Sequence, residues 1–452
     1  MAAGQGTRMH SALPKVAHHL AGRPIVRHVV EAARAAGIDE CIVVVGPDES
    51  ADAVRASAGE VRFAVQQQAL GTGDAAACAE EAAAGADYIL IMNGDVPLVL
   101  PSTLKRLMAP LSEGANVALL TAEVPVEAYG FLELTGDRVA GIVETKEGSE
   151  IDRSELRHIN AGQYAVRAEW LWSHLHRITP APNGERYLTQ LAAMAYDEGN
   201  PAAAVLAEDV AEVRGVNDRV QLADAEHALR ERINRRHMLA GVTIVDPATT
   251  YIDVEVTIGA DSTIAPGTHL EGATSIGERC EIGPASLLRA AQIGDGCVIR
   301  FSMVEDSVLE SDVDVGPYSH VRPGSHICQG VHIGNYAEVK ASRLGRRTKI
   351  GHFSYVGDSD IGEDVNIGAG AITANYDGVR KNRTVIGDGA FIGSDTMLVA
   401  PVRIGRGAST SAGAVVNRDV PDGMIAIGAP ARLRAKHGGA PRAAEDANSE
   451  QR

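Results

Sequence analysis

Glycine and basic residues stand together at the beginning of the chain. Residues 2–9 read AAGQGTRM, and Lys15 follows after a proline. A glycine-rich turn exposes backbone N–H groups to phosphate oxygens, and Arg8 and Lys15 add positive charge at the same place. The segment therefore predicts a phosphate-binding loop, although a GxG turn taken alone is more often only structural.

A single carboxylate follows an apolar run in the first half of the chain. Asp95 lies within the sequence NGDVPL, directly after the apolar residues 88–92. We expect it at the carboxyl end of a parallel strand, where α/β sheets collect ligands. Because Mg²⁺ prefers oxygen ligands and phosphates, we interpret Asp95 as a metal ligand; a turn or cap residue is the alternative.

His352 is the residue of the second half best suited to proton transfer. It lies two residues after Ile350, in the run KIGHFSYVGD. A histidine with a pKa near neutral can take a proton from an attacking amine, but a lone histidine is more often a surface residue. The segment 375–384 interrupts the local repeat, so we expect a loop that carries binding groups.

The first 218 residues alternate short apolar runs with Ala-rich helical patterns. We predict helices over 25–35 and 74–84, and such an alternation indicates a mainly parallel α/β sheet. The predicted strands cover 41–45, 62–65, 88–92, 117–121 and 140–143.

A six-residue repeat of apolar residues dominates the rest of the chain. One run comprises Ile252, Ile258, Ile264, Leu270, Ile276 and Ile282, and Gly often follows the apolar residue. This period fits a coil of short parallel strands in which each turn of three hexads buries one apolar residue per side. Such coils have flat sides and edges, which favours packing into a closed oligomer.

Composition excludes several classes of protein. The net charge is −17, and no run of about 18 apolar residues occurs, which argues against nucleic-acid binding and a membrane span. The N-terminus lacks the pattern of a signal peptide, so we expect a cytoplasmic protein. The five cysteines show no CxxC or Cys/His ligand spacing and are expected to be buried, reduced thiols.

The N-terminal motifs together resemble the AAGxGTRM…PK signature of sugar-1-phosphate nucleotidyltransferases. The resemblance extends to QQQALGTG at 66–73, similar to a uracil-reading loop, and to Asn217 at a second metal position. It implies that Arg8 and Lys15 are catalytic and that Asp95 and Asn217 bind Mg²⁺. The implied substrate-binding residues are Ala3, Gly4, Gln66, Gly71, Thr72, Gly130, Glu144, Asn160 and Asn217.

Nearly the whole chain resembles the bifunctional N-acetylglucosamine-1-phosphate uridyltransferase and glucosamine-1-phosphate N-acetyltransferase family. The resemblance implies an α/β, Rossmann-like nucleotidyltransferase domain over 1–218, a linker helix over 219–240 and a left-handed parallel β-helix of hexapeptide repeats over 241–432. The tail, 433–452, has no periodic apolar residue and is expected to be disordered.

The same resemblance implies two reactions that make UDP-N-acetylglucosamine, a cell-envelope precursor, from acetyl-CoA, glucosamine-1-phosphate and UTP through N-acetylglucosamine-1-phosphate. His352 would be the general base of the acetyl transfer, and the enzyme would be a homotrimer. Glucosamine-1-phosphate would be bound by Arg322, Lys340, Tyr355 and Asn366, and acetyl-CoA by Asn375, Tyr376, Lys381, Ser394 and Ala412.

The sequence departs from the family pattern at five places, including Glu147 where Asp is common and Asn93 in place of a frequent Tyr. The apolar strand that usually precedes Ala2 is absent, Phe131 replaces an Arg after Gly130, and Ala429 replaces an Arg that contacts CoA. Two other functions stay open at this point. One is a single-activity sugar-1-phosphate nucleotidyltransferase with a structural β-helix, and the other is a non-catalytic scaffold.

Overall fold

The computed structural model describes residues 1–4, 6–125, 130–144 and 156–435. The chain divides into two compact units, Met1–Arg230 and Glu231–Arg452. The division falls inside a long helix, Arg219–Leu239, at the place where the sequence predicts a linker helix.

The first unit alternates strands and helices. Its strands are β1 His19–Leu20, β2 Arg23–Pro24, β3 Ile42–Val45, β4 Arg62–Val65, β5 Tyr88–Ile91, β6 Val117–Pro125, β7 Phe131–Thr135, β8 Arg138–Val143, β9 Leu156–Arg167 and β10 Ala203–Leu206. The α-helices are α1 Ile25–Ala35, α2 Ser50–Ala58, α3 Thr72–Ala77, α4 Pro101–Ser112, α5 Ala168–Leu175, α6 Gln190–Asp197 and α7 Arg219–Leu239, and short 3₁₀ helices cover Thr7–Met9, Lys15–Ala17, Val210–Val213 and Pro247–Thr249.

Helix α1 shows why these segments fold as they do. Its apolar residues Ile25, Val26, Val29 and Val30 recur at helical spacing, and all are buried. They pack in two clusters, one of which includes β3, and burying each such side chain contributes about 1.5–3 kcal/mol. The predicted bounds of this helix are confirmed. The helix predicted over 74–84 is shorter: α3 ends at Ala77, and i→i+3 bonds such as Ala79 N–H to Ala76 O follow.

The sheet of the first unit is mixed, whereas the sequence predicts mainly parallel pairing. A six-stranded sheet has the order β10-β6-β9-β7-β8, with β5 on β9. Strand β9, which the sequence analysis missed, runs antiparallel to β5 and β6, whereas β10 is parallel to β6. The parallel pair β3–β4 forms a separate sheet.

Met1 and Ala2 connect these two sheets. Ala2 N–H donates to Val44 O at 2.8 Å, and Gly94 N–H donates to Met1 O at 2.8 Å. In the described ranges β3 pairs only with β4, and β5 pairs only with β9, so no strand pairs with both β3 and β5. The two residues thus hold the glycine-rich loop against the carboxyl ends of β3 and β5.

The second unit is a coil of very short strands. In chain order they are β11 Thr243–Ile244, β12 Tyr251–Ile252, β13 Thr257–Ile258, β14 Thr263–Ile264, β15 His269–Glu271, β16 Ser275–Ile276, β17 Glu281–Ile282, β18 Leu287–Arg289, β19 Gln292–Ile293, β20 Val298–Ile299, β21 Met303–Glu305, β22 Val308–Leu309, β23 Asp314–Val315, β24 His320–Val321, β25 His326–Ile327, β26 His332–Ile333, β27 Ala337–Lys340, β28 Arg343–Leu344, β29 Lys349–Ile350, β30 Ser354–Gly357, β31 Ser359–Ile361, β32 Asn366–Ile367, β33 Ile372–Ala374, β34 Thr384–Ile386, β35 Phe391–Ile392, β36 Met397–Val399, β37 Val402–Ile404, β38 Ser409–Thr410, β39 Val415–Val416, β40 Met424–Ile427 and β41 Arg432–Ala435.

Every third strand pairs in parallel, so the coil has three faces. The first face is the sheet that begins β11-β14, the second begins β12-β15 and the third begins β13-β16. The turns between the faces form three edges, which we call the first corner (first to second face), the second corner (second to third face) and the third corner (third to first face). The predicted left-handed parallel β-helix is confirmed, and its aliphatic rungs, such as Ile264, Ile282 and Ile299, are buried.

The end of the coil differs from the prediction of a disordered tail from 433. Strand β41 pairs antiparallel with β40, so residues 433–435 are part of a hairpin. Residues 436–452 lie outside the described residues. Among the helices of the described residues, none is long and apolar enough to cross a membrane.

Candidate active sites

Four predicted residues converge at the carboxyl ends of the first unit's strands. Lys15 Nζ lies 2.5 Å from Asp95 Oδ2 and 3.0 Å from Asn217 Oδ1. Arg8 Nη2 donates to the same Asn217 oxygen at 3.0 Å. Two oxygen ligands and two cationic groups thus share one location, although Asn217 is more than 200 residues from Lys15 in the sequence.

Local backbone geometry holds this cluster. Gly6 has φ 61°, and a Cβ there would lie 2.6 Å from Lys15 Cβ, so glycine is required by both conformation and space. The backbone N–H of Asn217 donates to Gln221 Oε1 at 2.8 Å, and Val216 N–H donates to Asp95 O at 2.8 Å. The first turn of α7 therefore positions Asn217 beside Asp95.

The predicted base-reading segment is a tight loop ahead of α3. Gln66 is buried, and its Nε2 donates to Gly71 O at 3.2 Å and to Asp74 Oδ2 at 2.9 Å. A Cβ on Gly71, which has φ 99°, would lie 2.6 Å from Arg186 O. Thr72 Oγ1 accepts from Leu188 N–H at 3.0 Å, so the loop is held from two sides.

The predicted sugar-contacting residues also lie together. Asn160 N–H donates to Gly130 O at 2.7 Å, and a Cβ on Gly130 would lie 3.2 Å from Glu144 Oε2. Asn160 Oδ1 accepts from the hydroxyl of Tyr164 at 3.0 Å. Burial raises the pKa of Tyr164, so the hydroxyl stays a donor.

The sugar cluster adjoins the Asp95 loop through Asn93, whose Nδ2 faces the Cα of Gly162. Ala3 and Gly4 lead from the connecting residues into the glycine-rich loop. Among the described residues other than its chain neighbours, no atom lies within 4 Å of a Cβ built on Gly4, so a ligand has room there.

Arg322, Lys340 and Asn375 lie together at the second corner of the coil. Arg322 follows β24 and Lys340 ends β27, and the register Val321↔Val339 stacks them on successive coils. Asn375 Nδ2 donates to Tyr355 Oη at 3.3 Å and also contacts Asp358. Arg322 forms an ion pair with Glu338 at 2.6 Å.

The loop 375–383 projects from this same corner. Tyr376 pairs with Lys381 across it, and Asn382 N–H donates to Asn375 O at 2.6 Å. The neighbouring ammonium group of Lys381 lowers the pKa of Lys340. Two neighbouring cations such as these attract anionic groups.

His352 belongs to the first corner. The register Ile350↔Ile367↔Ile392 places His352 and Ser394 at the same position of their coils, and Phe391↔Ser409 adds Ala412. His352 Nδ1 lies 3.4 Å from Asn335 Oδ1 of the preceding coil. Asn366 lies on the first face, paired with Lys349, and not with Arg322 and Lys340 on the second.

The acetyltransferase residues of one chain therefore form two groups at opposite ends of the second face. Lys340 pairs with Gly357 at the end of β30, whereas His352 precedes β30, so this four-residue strand, about 10 Å long, lies between the two groups. A general base must lie within about 3 Å of the proton that it takes, and within the described residues the side-chain hydrogen bonds of Asn375 go to Tyr355 and Asp358 and not to His352. One chain by itself does not bring the predicted base to the predicted substrate residues.

Models of known protein families match segments in both units of the chain. Residues 1–213 match the MobA-like NTP transferase domain, 281–364 match the GlmU-like C-terminal hexapeptide, and 383–418 match the bacterial transferase hexapeptide of six repeats.

Similar proteins cover almost the whole chain. A bifunctional protein GlmU of Pelobacter propionicus is 46% identical over 437 residues, which are 94% of each chain. A bifunctional protein GlmU of Brevibacillus brevis is 43% identical and covers 94% of this chain and 93% of its own. This chain belongs to the GlmU family of bifunctional proteins.

Family membership confirms the predicted pair of activities, uridylyl transfer and acetyl transfer in UDP-N-acetylglucosamine synthesis. A single-activity enzyme with a structural β-helix is not favoured, because the relatives match along both units.

The structure adds residues that the sequence analysis did not select. Gln221, Tyr164, Glu338 and Asp358 each contact a predicted site residue. A usable signal existed only for Gln221, four residues after Asn217 in a predicted helix. Tyr164 and Glu338 come from strands, and Asp358 from the turn after β30, and a single sequence does not reveal how these segments pair.

Proposed function

We propose that uridylyl transfer takes place at the cluster of Arg8, Lys15, Asp95 and Asn217. The observation that carries this proposal is the approach of Lys15 Nζ to both Asp95 Oδ2 and Asn217 Oδ1. A phosphate oxygen of N-acetylglucosamine-1-phosphate attacks the α-phosphorus of UTP, and the bond to the leaving pyrophosphate breaks. Arg8 and Lys15 orient the phosphates and offset their charge.

The oxygen atoms of Asp95 and Asn217 fit Mg²⁺, which takes oxygen ligands and shares them with substrate phosphates. When bound, the ion supplies further positive charge to the transferring phosphoryl group. The assignment needs no rearrangement of the strands, because both oxygens already face one cation, the Lys15 ammonium group.

The remaining predicted site residues of the first unit are assigned either to the uridine or to the acetylated sugar. We assign the uridine moiety to Ala3, Gly4, Gln66, Gly71 and Thr72, beside the loop that Arg186 closes. The acetylated sugar is assigned to Gly130, Glu144 and Asn160, and Tyr164 orients the amide of Asn160.

We propose that His352 is the general base of the acetyl transfer. The amine of glucosamine-1-phosphate attacks the thioester carbonyl of acetyl-CoA, and His352 takes the amine proton. The tetrahedral intermediate then collapses, the C–S bond breaks, and the CoA sulfur leaves with a proton. Glucosamine-1-phosphate is bound by Arg322, Lys340 and Tyr355 on the second face and by Asn366 on the first face, and Asn375 orients the amine.

Acetyl-CoA is assigned to groups at two corners. Tyr376 and Lys381 belong to the second corner, whereas Ser394 and Ala412 share the first corner with His352. We propose a homotrimer in which the first corner of one copy faces the second corner of the next, because in one chain the strand β30 lies between these groups.

The proposed domains are a uridyltransferase over 1–218, a linker helix over 219–240 and an acetyltransferase over 241–432. A cytoplasmic location is proposed on the free state of all five cysteines, since reduced thiols persist in that compartment.

Two variants test the assignment of each activity to its unit. Asp95→Ala removes a proposed Mg²⁺ ligand and should abolish pyrophosphate release from UTP, while thiol release from acetyl-CoA continues. His352→Ala should lower thiol release by about 100-fold or more and leave pyrophosphate release intact. Each variant is the control for the other. Pyrophosphate release retained in Asp95→Ala, or an unchanged acetylation rate in His352→Ala, would refute the corresponding assignment.

A further inference from the structure

The third corner of the coil carries two chemically reactive side chains where other coils have glycine. The residue after the rung of the third face is glycine in seven of the nine coils, and the exceptions are Glu310 and Cys328. The seven are Gly259, Gly277, Gly294, Gly345, Gly362, Gly387 and Gly405.

Glycine fits this corner well because the next coil passes very close. A Cβ on Gly294 would lie 2.6 Å from Ser311 N, and a Cβ on Gly345 would lie 2.4 Å from Gly362 C. The two exceptions are on successive coils: the register Leu309↔Ile327 places Cys328 directly beside Glu310. Neither residue takes part in the two proposed reactions, which use the first and second corners.

A third ligand side chain joins them. His326 lies two residues before Cys328 on the third face, and its Nε2 is 2.9 Å from Glu310 Oε1. The nearest ligand atoms of Glu310, His326 and Cys328 all lie within 4.8 Å of one another, and within the described part of the chain no other group of three satisfies this test.

We propose that Glu310, His326 and Cys328 form a binding site for a divalent transition-metal ion of the Zn²⁺ class. One thiolate, one imidazole and one carboxylate are the ligand types that Zn²⁺ uses, and three protein ligands leave a fourth position for water. A tetrahedral ion with bonds of about 2.0–2.3 Å separates its ligand atoms by roughly 3.3–3.8 Å, so side-chain shifts of about 1 Å complete the site. Hard ions such as Mg²⁺ disfavour the thiolate.

Neighbouring groups orient and charge the three proposed ligands. The backbone N–H of Gln329 donates to Glu310 Oε2 at 2.9 Å, which leaves Oε1 directed at His326. This backbone hydrogen bond, more than His326, lowers the pKa of Glu310, so the carboxylate is ionised. Cys328 is 3% exposed, whereas the side chains of His326 and Glu310 are 47% and 34% exposed. An ion thus enters past His326 and meets the thiol at the base of the site.

Binding also requires that the thiol of Cys328 lose its proton to solvent. Burial raises the pKa of Cys328, and the positive charge of Arg343 acts in the opposite direction. The ion provides the charge that stabilises the thiolate, as in other thiolate sites. Because Glu310 belongs to one coil and Cys328 to the next, the bound ion would link two coils.

The test uses Co²⁺ as a spectroscopic probe on the full chain, treated with a chelator, kept reduced and held in excess Mg²⁺. One equivalent of Co²⁺ should produce the near-ultraviolet charge-transfer band of a cobalt thiolate, and Zn²⁺ should displace it. Cys328→Ser should lose the band, and His326→Asn should weaken Co²⁺ binding by about 10-fold or more. Cys41→Ser and Cys78→Ser are matched controls in the first unit and should keep the band.

Folding and thermal stability of the variants are measured as well. His326 is half-exposed, so His326→Asn should fold normally even if Cys328→Ser does not, and acetyl transfer without Co²⁺ reports folding of both. Zn²⁺ in excess should raise the Tm of the wild-type chain by about 5 °C and leave the Tm of His326→Asn unchanged. Absence of the band in the wild-type chain, an equal band in Cys328→Ser or equal Co²⁺ affinity in His326→Asn would overturn the proposal.

Discussion

At the scale of single residues, Gly357 makes room for the contact at the second corner. A Cβ at this position would lie 2.4 Å from Tyr355 Oη and 2.6 Å from Asn375 Nδ2. Tyr355 and Asn375 belong to different coils and meet only because the residue between them has no side chain. The glycine is therefore part of the proposed substrate site although it has no side chain to contact a substrate.

Gly357→Ala should separate Tyr355 from Asn375. We expect kcat/KM for acetyl transfer to fall by about 10- to 100-fold, since displacements of about 1 Å have effects of this size. Thiol release from acetyl-CoA measures the change, and pyrophosphate release from UTP should be unaffected. Gly141→Ala is the control, because its Cβ would lie 3.6 Å from the nearest atom, an ordinary contact. Equal acetylation by Gly357→Ala and wild type would contradict this role.

At the scale of elements, the rungs of the coil carry its stability. Ile299 is fully buried in β20, between Ile282 of the preceding coil and Val315 of the next. Truncation of such a rung removes the van der Waals contacts of its side chain with both neighbouring rungs. A strand of two residues buries few other apolar atoms that could compensate.

Ile299→Ala should lower the free energy of unfolding by about 2–5 kcal/mol because it leaves a cavity in the stack. Ile427→Ala makes the same chemical change at a side chain that is 37% exposed, and it should cost less than about 1 kcal/mol. Urea unfolding of the two variants and the wild-type chain gives the comparison. Similar losses in both variants would show that the rungs do not dominate stability.

The elements also show what a local pattern can predict. Helix α1 begins and ends where its apolar spacing indicates, because its buried face is encoded within 11 residues. Strand β9 was missed and makes the sheet mixed, because its place depends on β5 and β6, far away in the sequence.

At the scale of the whole molecule, the three corners of the coil have different chemistry. The first corner carries His352, the second carries Lys340 and Asn375, and the third carries Glu310 and Cys328. The separation of the first two groups in one chain is the physical reason for proposing a site that is completed between copies.

Mixed oligomers test whether the acetyl-transfer site is shared. His352→Ala and Asn375→Ala chains should each be inactive in acetyl transfer when alone. After co-expression in equal amounts, random trimers should recover about a quarter of wild-type activity, because a site is intact only where an unaltered His352 meets an unaltered Asn375. Mixing folded homotrimers without exchange is the control and should recover nothing. No recovery after co-expression would show that each chain supplies a complete site.

The sequence by itself determined the coil of the second unit, the alternation of strands and helices in the first, and most of the residues at the proposed sites. The six-residue period encodes the coil because every rung repeats the same local requirement, and the glycine-rich, basic start encodes a phosphate loop within 15 residues. Only the tertiary structure decided which distant groups meet. It brings Asn217 to Lys15, separates His352 from Lys340, and joins Cys328 to Glu310 across two coils, since these contacts depend on strand register and on the direction of turns.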